Sequence, residues 1–212
     1  MENTVSISLS SVSKKFNKEW IFKEINLQIN PGSKWVILGS NGSGKSTLLQ
    51  VISGFLIPDK GNITYQANGN NLKIEDVNDL ISFASPYIQL SEDLTLTEYI
   101  EHIALFKPFQ KNISTKELID IFELKHAAKK AIKHFSSGMK QRTKLGIAIM
   151  ADAPVLFLDE PLSNLDANGI NWYKQMIKEH TPHKTILVCS NAIKDEYGFC
   201  EKELNVSDYK TN

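Results

Sequence analysis

The sequence predicts an α/β fold in which a glycine-rich loop follows a strand of a buried sheet. Three stretches carry that prediction: KWVIL (34–38) running straight into GSNGSGKST (39–47), VLFLDE (155–160), and TILVCS (185–190). The first is a short, continuous apolar run, the kind buried on both faces of a parallel sheet. The second ends in paired acids, and the third repeats the strand pattern near the end of the chain.

The remaining elements follow in order. Val5, Ile7 and Leu9 alternate with serines, and Ile25, Leu27 and Ile29 repeat the alternation before Pro31-Gly32 closes it. Both stretches have strand periodicity. STLLQVIS (46–53) reads as a helix, with Gly54 at its end and Pro58 just beyond. Residues 61–85 read as short strands with an Asn-Gly turn at 68–69. The middle of the chain turns helical. Thr95 and Glu98 stand at capping-box spacing, and Leu96, Tyr99, Ile100, Ile103 and Phe106 are expected to line one face. Ser114 and Glu117 repeat the spacing before Leu118, Ile119 and Phe122. Further helices are expected at 137–150 and 170–180. This organisation makes one domain with a helical insertion at roughly 87–150.

Composition narrows the function. The chain has 212 residues, enough for one domain with a sizeable core. It carries 24 basic and 24 acidic residues, and that balance argues against nucleic acid as the main partner. The two cysteines, Cys189 and Cys200, have no metal-ligand spacing and read as reduced thiols. The N-terminal stretch lacks the apolar centre of a signal peptide. No apolar run approaches the roughly 18 residues that span a bilayer. The expectation is a soluble, cytoplasmic protein, anchored by another chain if it works at a membrane.

The loop GSNGSGKST fits the pattern G-x-x-x-x-G-K-[ST] through Gly39, Gly44, Lys45 and Ser46. Backbone N–H groups of Ser40, Asn41, Gly42, Ser43 and Thr47 with these residues would wrap the phosphates of a nucleoside triphosphate. Glycines permit that curvature, and the following helix adds the positive end of its dipole. The Lys45 ammonium would meet the terminal phosphates, and the Ser46 hydroxyl would ligate Mg²⁺. Asp159 ends a strand and is placed to hold the same ion, and Glu160 is placed to polarise an attacking water.

The stretch FSSGMKQR (135–142) gives the class. It resembles, in variant form, the LSGGQ-type signature of ATP-binding cassette (ABC) ATPases. The order then fits that family: phosphate loop, helical insertion, signature, Asp-Glu strand, and SNLD (163–166) as the D-loop. The resemblance covers the chain from about Phe16 to the end of the 185–191 stretch. It implies an N-terminal antiparallel β-subdomain beside the phosphate-loop core. It also implies ATP and Mg²⁺ as ligands, and a sandwich of two cassettes in which each loop faces the other's signature. Ser136, Ser137, Gly138 and Met139 would complete the site in trans. Asp166 would help join the two domains, and Phe16 stands where the family keeps an aromatic that stacks on adenine. Trp20 competes for that role.

Two positions depart from the family. Its usual glutamine at the start of the helical insertion is replaced by Pro86, which has neither a side-chain oxygen nor an N–H. Gln89, three residues on, either substitutes as a Mg²⁺ ligand or is an ordinary polar loop residue. The family's switch histidine is replaced by Asn191, which can hydrogen-bond a γ-phosphate but cannot take up a proton. The leading expectation is therefore the ATPase subunit of an ABC transporter, peripheral on the cytoplasmic face of a membrane. It would pair with a copy of itself or a related chain and drive an integral-membrane subunit, and the resemblance implies the helical insertion and the loop Pro86–Leu90 as the docking surface. The alternatives are a regulatory or assembly module with little turnover, and a soluble family member acting on DNA or ribosomes.

Overall fold

The computed structural model describes residues 4–110 and 113–210. They divide into two compact units. The first takes in the chain up to Ile81, Ala153–Glu160, and the chain from His183 on; the second is Ser82–Asp152 with Pro161–Pro182.

In the first unit, β1 (Val5–Phe16) and β2 (Glu19–Ile29) pair antiparallel, with Ile7 opposite Ile29 and Leu9 opposite Leu27. Val5, Ile7, Leu9 and Val12 are buried while the serines between Val5 and Leu9 are half-exposed, as the alternation predicts. β3 (Lys34–Leu38) leads into the phosphate loop and α1 (Lys45–Ile52), whose Leu48, Leu49, Val51 and Ile52 are buried. Gly54 follows the helix, its N–H donating to the Val51 carbonyl at 3.2 Å. β4 (Lys60–Ala67) adds to the free edge of β1, and β5 (Asn70–Asn71) folds back on it. The hairpin turns at Asn68 and Gly69, both with positive φ (51° and 81°), the geometry that suits the twist of paired strands. The antiparallel sheet order is β2-β1-β4-β5.

The strand reading of 61–85 is corrected in part. α2 (Ile74–Leu80) is a helix, started by Glu75 and Asp76 in its first turn with only Val77 buried. Its polar surface gives too few apolar repeats for either period to stand out. β6 (Ile81–Ala84) follows at the sequence boundary between the two units.

β7 (Val155–Asp159) and β8 (Thr185–Ser190) are buried along their whole length. β7, β8, β3 and β9 (Lys202–Asn205) run parallel in that order, with β8 beside both β7 and β3. β3 itself is fully buried only at Val36 and Ile37. β9 and the short α7 (Lys194–Tyr197) have no counterpart in the sequence reading, because each is only four residues long.

The second unit is helical. α3 (Leu96–Ala104) and α4 (Thr115–Ile121) both start with the expected reciprocal capping boxes, Thr95 with Glu98 and Ser114 with Glu117. Bonds from the cap hydroxyl and N–H hold each glutamate below the usual carboxylate range. Leu96, Tyr99 and Ile100 are buried. Phe106 is not on that face: α3 stops at Ala104, and the ring is 73% exposed.

α5 (Ser137–Met150) and α6 (Ala167–His180) pack together. The α6 helix starts three residues before the expected 170, because Asp166 caps it. The Arg142 guanidinium lies over the Trp172 ring, 5.2 Å from its centre, and pairs with Glu123. Gly146 of α5 faces the fully buried Phe122; a Cβ there would lie 2.5 Å from two ring carbons. Gly146→Ala gains about 1 kcal/mol of helix propensity but overpacks a ring that cannot step aside, at a cost of about 1–3 kcal/mol. The steric term is the larger. Urea denaturation is expected to show net destabilisation, against the usual direction for a helical glycine.

Candidate functional site

The first unit gathers the phosphate loop, the end of β7 and the end of β8. The loop curves because Gly44 adopts φ 103°. A Cβ there would meet the Ile21 side chain at 2.4 Å, so both conformation and space demand glycine. α1 begins at once, with Lys45 as its first residue.

Lys45 is 4% exposed. Its ammonium donates to the carbonyls of Gly39 at 2.9 Å and Ser40 at 3.1 Å, and to Oδ1 of Asn191 at 2.7 Å. Nδ2 of Asn191 in turn donates to Oε1 of Glu160 at 2.9 Å. A continuous chain therefore runs from the lysine through the asparagine to the glutamate. The Asn191 amide has one orientation that serves both neighbours, with its oxygen to the ammonium and its nitrogen to the carboxylate. A neutral imidazole offers the same pairing of one acceptor and one donor. Asn191 keeps that bonding pattern and loses only the ability to become charged.

Ser46 Oγ donates to Oδ1 of Asp159 at 3.0 Å, and Asp159 is 2% exposed at the end of β7. The two oxygens expected to share a metal ion are thus adjacent. Glu160 follows in the left-handed region at φ 44°, tied by its N–H to the Cys189 carbonyl at 3.0 Å. That conformation is uncommon for a residue with a side chain, and such strain concentrates at functional positions. Thr47 is half-buried in the first turn of α1, while Ser40, Asn41 and Gly42 are exposed. A cavity of about 510 Å³ opens here, lined by Gly39, Ser40, Asn41, Asn191 and Asn205 among others.

Ser43 tests whether a phosphate suits the loop. Its side-chain oxygen is buried and, among the described residues, has no hydrogen-bond partner. Buried hydroxyls are nearly always bonded. An anionic oxygen held in the loop would satisfy it, so the residues present fit the ligand.

Sequence reasoning missed the support behind these groups. Ser190 Oγ donates to the carboxylate of Glu196, which is 1% exposed, and accepts the Ile193 N–H at 3.1 Å. This fixes the turn that carries Asn191. The Cys189 Sγ donates to the Lys45 carbonyl at 3.4 Å, and burial pushes its thiol well up, so it stays protonated. Neither group sits in a recognisable motif, and only the strand end at 190 hints at them.

The second unit holds the signature residues. Ser136 caps α5, its hydroxyl accepting the Met139 N–H at 3.2 Å, and Ser137 is exposed beside it. Gly138 runs close to the Asn164 carbonyl, 3.1 Å from where a Cβ would stand. Asp166 caps α6 by accepting the Gly169 N–H at 2.8 Å. A cavity of about 710 Å³ lies along Ser136, Ser137, Gly138, Met139 and Asp166. Gln89 is exposed, and the Pro86 carbonyl accepts from Lys144 at 2.6 Å.

The family model for ABC transporters matches residues 22–163, and the chain belongs to that family. It is 33% identical over 171 residues to the sulfate/thiosulfate import ATP-binding protein CysA of Pseudomonas putida, a match over 77% of this chain and 51% of that protein. The chain thus spans about half the length of that relative. To the cytochrome c biogenesis ATP-binding export protein CcmA of Reclinomonas americana it is 29% identical over 188 residues, 87% of this chain and 84% of that one. A solved ATP-binding cassette, dimeric in a post-hydrolysis state with ADP and Pi, superposes with a TM-score of 0.81 at 25% identity, over 97% of this chain and 96% of that chain.

Proposed function

We propose that this chain is the ATP-binding and ATP-hydrolysing subunit of an ABC transporter. The observation that carries the reading is the unbroken chain Lys45–Asn191–Glu160 beside the Ser46–Asp159 pair. It places a buried cation, a metal-ready oxygen pair and a carboxylate around one loop.

In this mechanism the Lys45 ammonium exchanges its bonds to Gly39 and Ser40 for the terminal phosphates. Ser43 contributes its orphan hydroxyl. Ser46 and Asp159 would hold Mg²⁺, whose charge neutralises phosphate oxygens. Glu160 orients the attacking water and accepts its proton. Asn191 holds the Glu160 carboxylate and turns its amide oxygen to Lys45, with no proton exchanged at neutral pH. The signature residues Ser136, Ser137 and Gly138 of a second cassette, a copy of this chain or a related one, complete the site with helix-terminal N–H groups. Asp166 stands near that junction. Hydrolysis then drives a separate membrane subunit; among the described residues no helix is long and apolar enough to cross a membrane.

A second reading, a regulatory module with little turnover, draws on Pro86. Its side chain has no metal-binding oxygen and its carbonyl is engaged by Lys144. Phosphate-release assays with Mg²⁺ and ATP separate the two: steady turnover supports the ATPase, and binding without turnover supports the module. Asn191→Ala cuts the chain between Lys45 and Glu160. It is expected to lower kcat about tenfold with little change in KM, the scale of one charge-assisted hydrogen bond.

A further inference from the structure

Phe16 and Trp20 both stand near the end of β1, and the charges around them differ. The Trp20 ring has three lysine ammoniums around it, those of Lys15, Lys23 and Lys60, each 5.4 Å from its centre. Phe16 has one, that of Lys14 at 5.6 Å, and the residue remains 47% exposed. Of the two rings, Phe16 is the one with room for another flat group.

Lys14 itself is out of place as a simple surface residue. It is 9% exposed, and buried lysines are rare unless paired. Its ammonium donates to the Ile57 carbonyl at 2.8 Å and meets Oδ2 of Asp59 at 3.0 Å. The same Asp59 oxygen accepts the Lys15 N–H at 3.0 Å, and the Asp59 N–H donates to the Ser13 carbonyl at 2.9 Å. Four contacts thus clamp the end of β1 to the segment that leaves α1, the helix that begins at Lys45. The ladder of β1 shifts register between Lys14 and Lys15, and the Lys14 ammonium lies over the Phe16 ring across that shift.

We propose that Lys14 is a positioning residue for base binding. Locked by Asp59 and Ile57, it holds the Phe16 ring against one face and leaves the other face to stack on the adenine of ATP. This rests on the ATP-binding reading above. The ammonium fixes the ring's orientation and draws π density toward itself, and both effects favour an offset stack on the opposite side. A filler role alone would be met by any long apolar side chain; the positioning role needs the charge.

The test compares ATP with inorganic tripolyphosphate, which has phosphates but no base, each titrated with Mg²⁺ by calorimetry. Lys14→Met is expected to weaken ATP binding about three- to tenfold and to leave tripolyphosphate within about twofold. In turnover, KM rises while kcat holds. Lys14→Arg restores most of the ATP affinity. If the methionine variant folds poorly, Asp59→Asn, which frees the ammonium while keeping the shape, is expected to give the same split. Lys14→Met binding ATP as the wild type does, or losing ATP and tripolyphosphate equally, overturns the proposal. A wild-type chain that binds neither ligand overturns the ATP-binding reading itself, a distinct result.

Discussion

Glu160→Gln is expected to reduce ATP turnover by about 10²- to 10⁴-fold while leaving ATP affinity near that of the wild type. The substitution changes little besides charge and basicity. Glutamine keeps an oxygen that can accept the Asn191 Nδ2 donor now bonded at 2.9 Å. The Asn191 amide can therefore keep its orientation, and with it the bond to Lys45. The backbone at φ 44° is equally strained for either side chain. What disappears is the carboxylate that orients the water and takes its proton. Phosphate-release kinetics paired with a binding titration check this. A variant as active as the wild type would remove Glu160 from the reaction.

Lys45→Ala is the second large effect, and it falls on binding. The ammonium is buried and satisfied by three oxygens. Charge-assisted bonds of this kind contribute about 1.5–3 kcal/mol each. Losing those made to the phosphates is expected to weaken ATP about 100-fold or more, measured by calorimetry. The Gly39 and Ser40 carbonyls and the Asn191 amide also lose their donor, so the loop loosens without nucleotide. Lys45→Arg is expected not to rescue. A planar fork does not fit a socket built around one compact cation. ATP affinity unchanged in Lys45→Ala would mean that the loop does not hold phosphates.

The parts of the fold legible in the sequence were those whose burial is one-sided or complete. β7 and β8 are continuous apolar runs, and both are buried throughout. The capping boxes at Thr95 and Ser114 announced α3 and α4, because a cap is a local bond between fixed positions. α2 is not legible because it buries only Val77. Phe106 lies beyond the end of α3 at Ala104, and periodicity does not mark where a helix stops.

For the candidate site, motif spacing named Lys45, Ser46, Asp159 and Glu160. It could not show that Asn191 bridges the lysine and the glutamate, since those three come from different strand and helix ends. The Lys14–Asp59 clamp was likewise invisible, because its partners are far apart in sequence.

In the proposed mechanism two cassettes close on ATP, each loop meeting the other's Ser136–Gly138. The most direct measurement is light scattering of the Glu160→Gln protein with Mg²⁺ and ATP. The predicted result is a shift to twice the monomer mass that reverses on nucleotide removal. A strictly monomeric species at saturating ATP, with no second cassette chain captured from extracts, would contradict it.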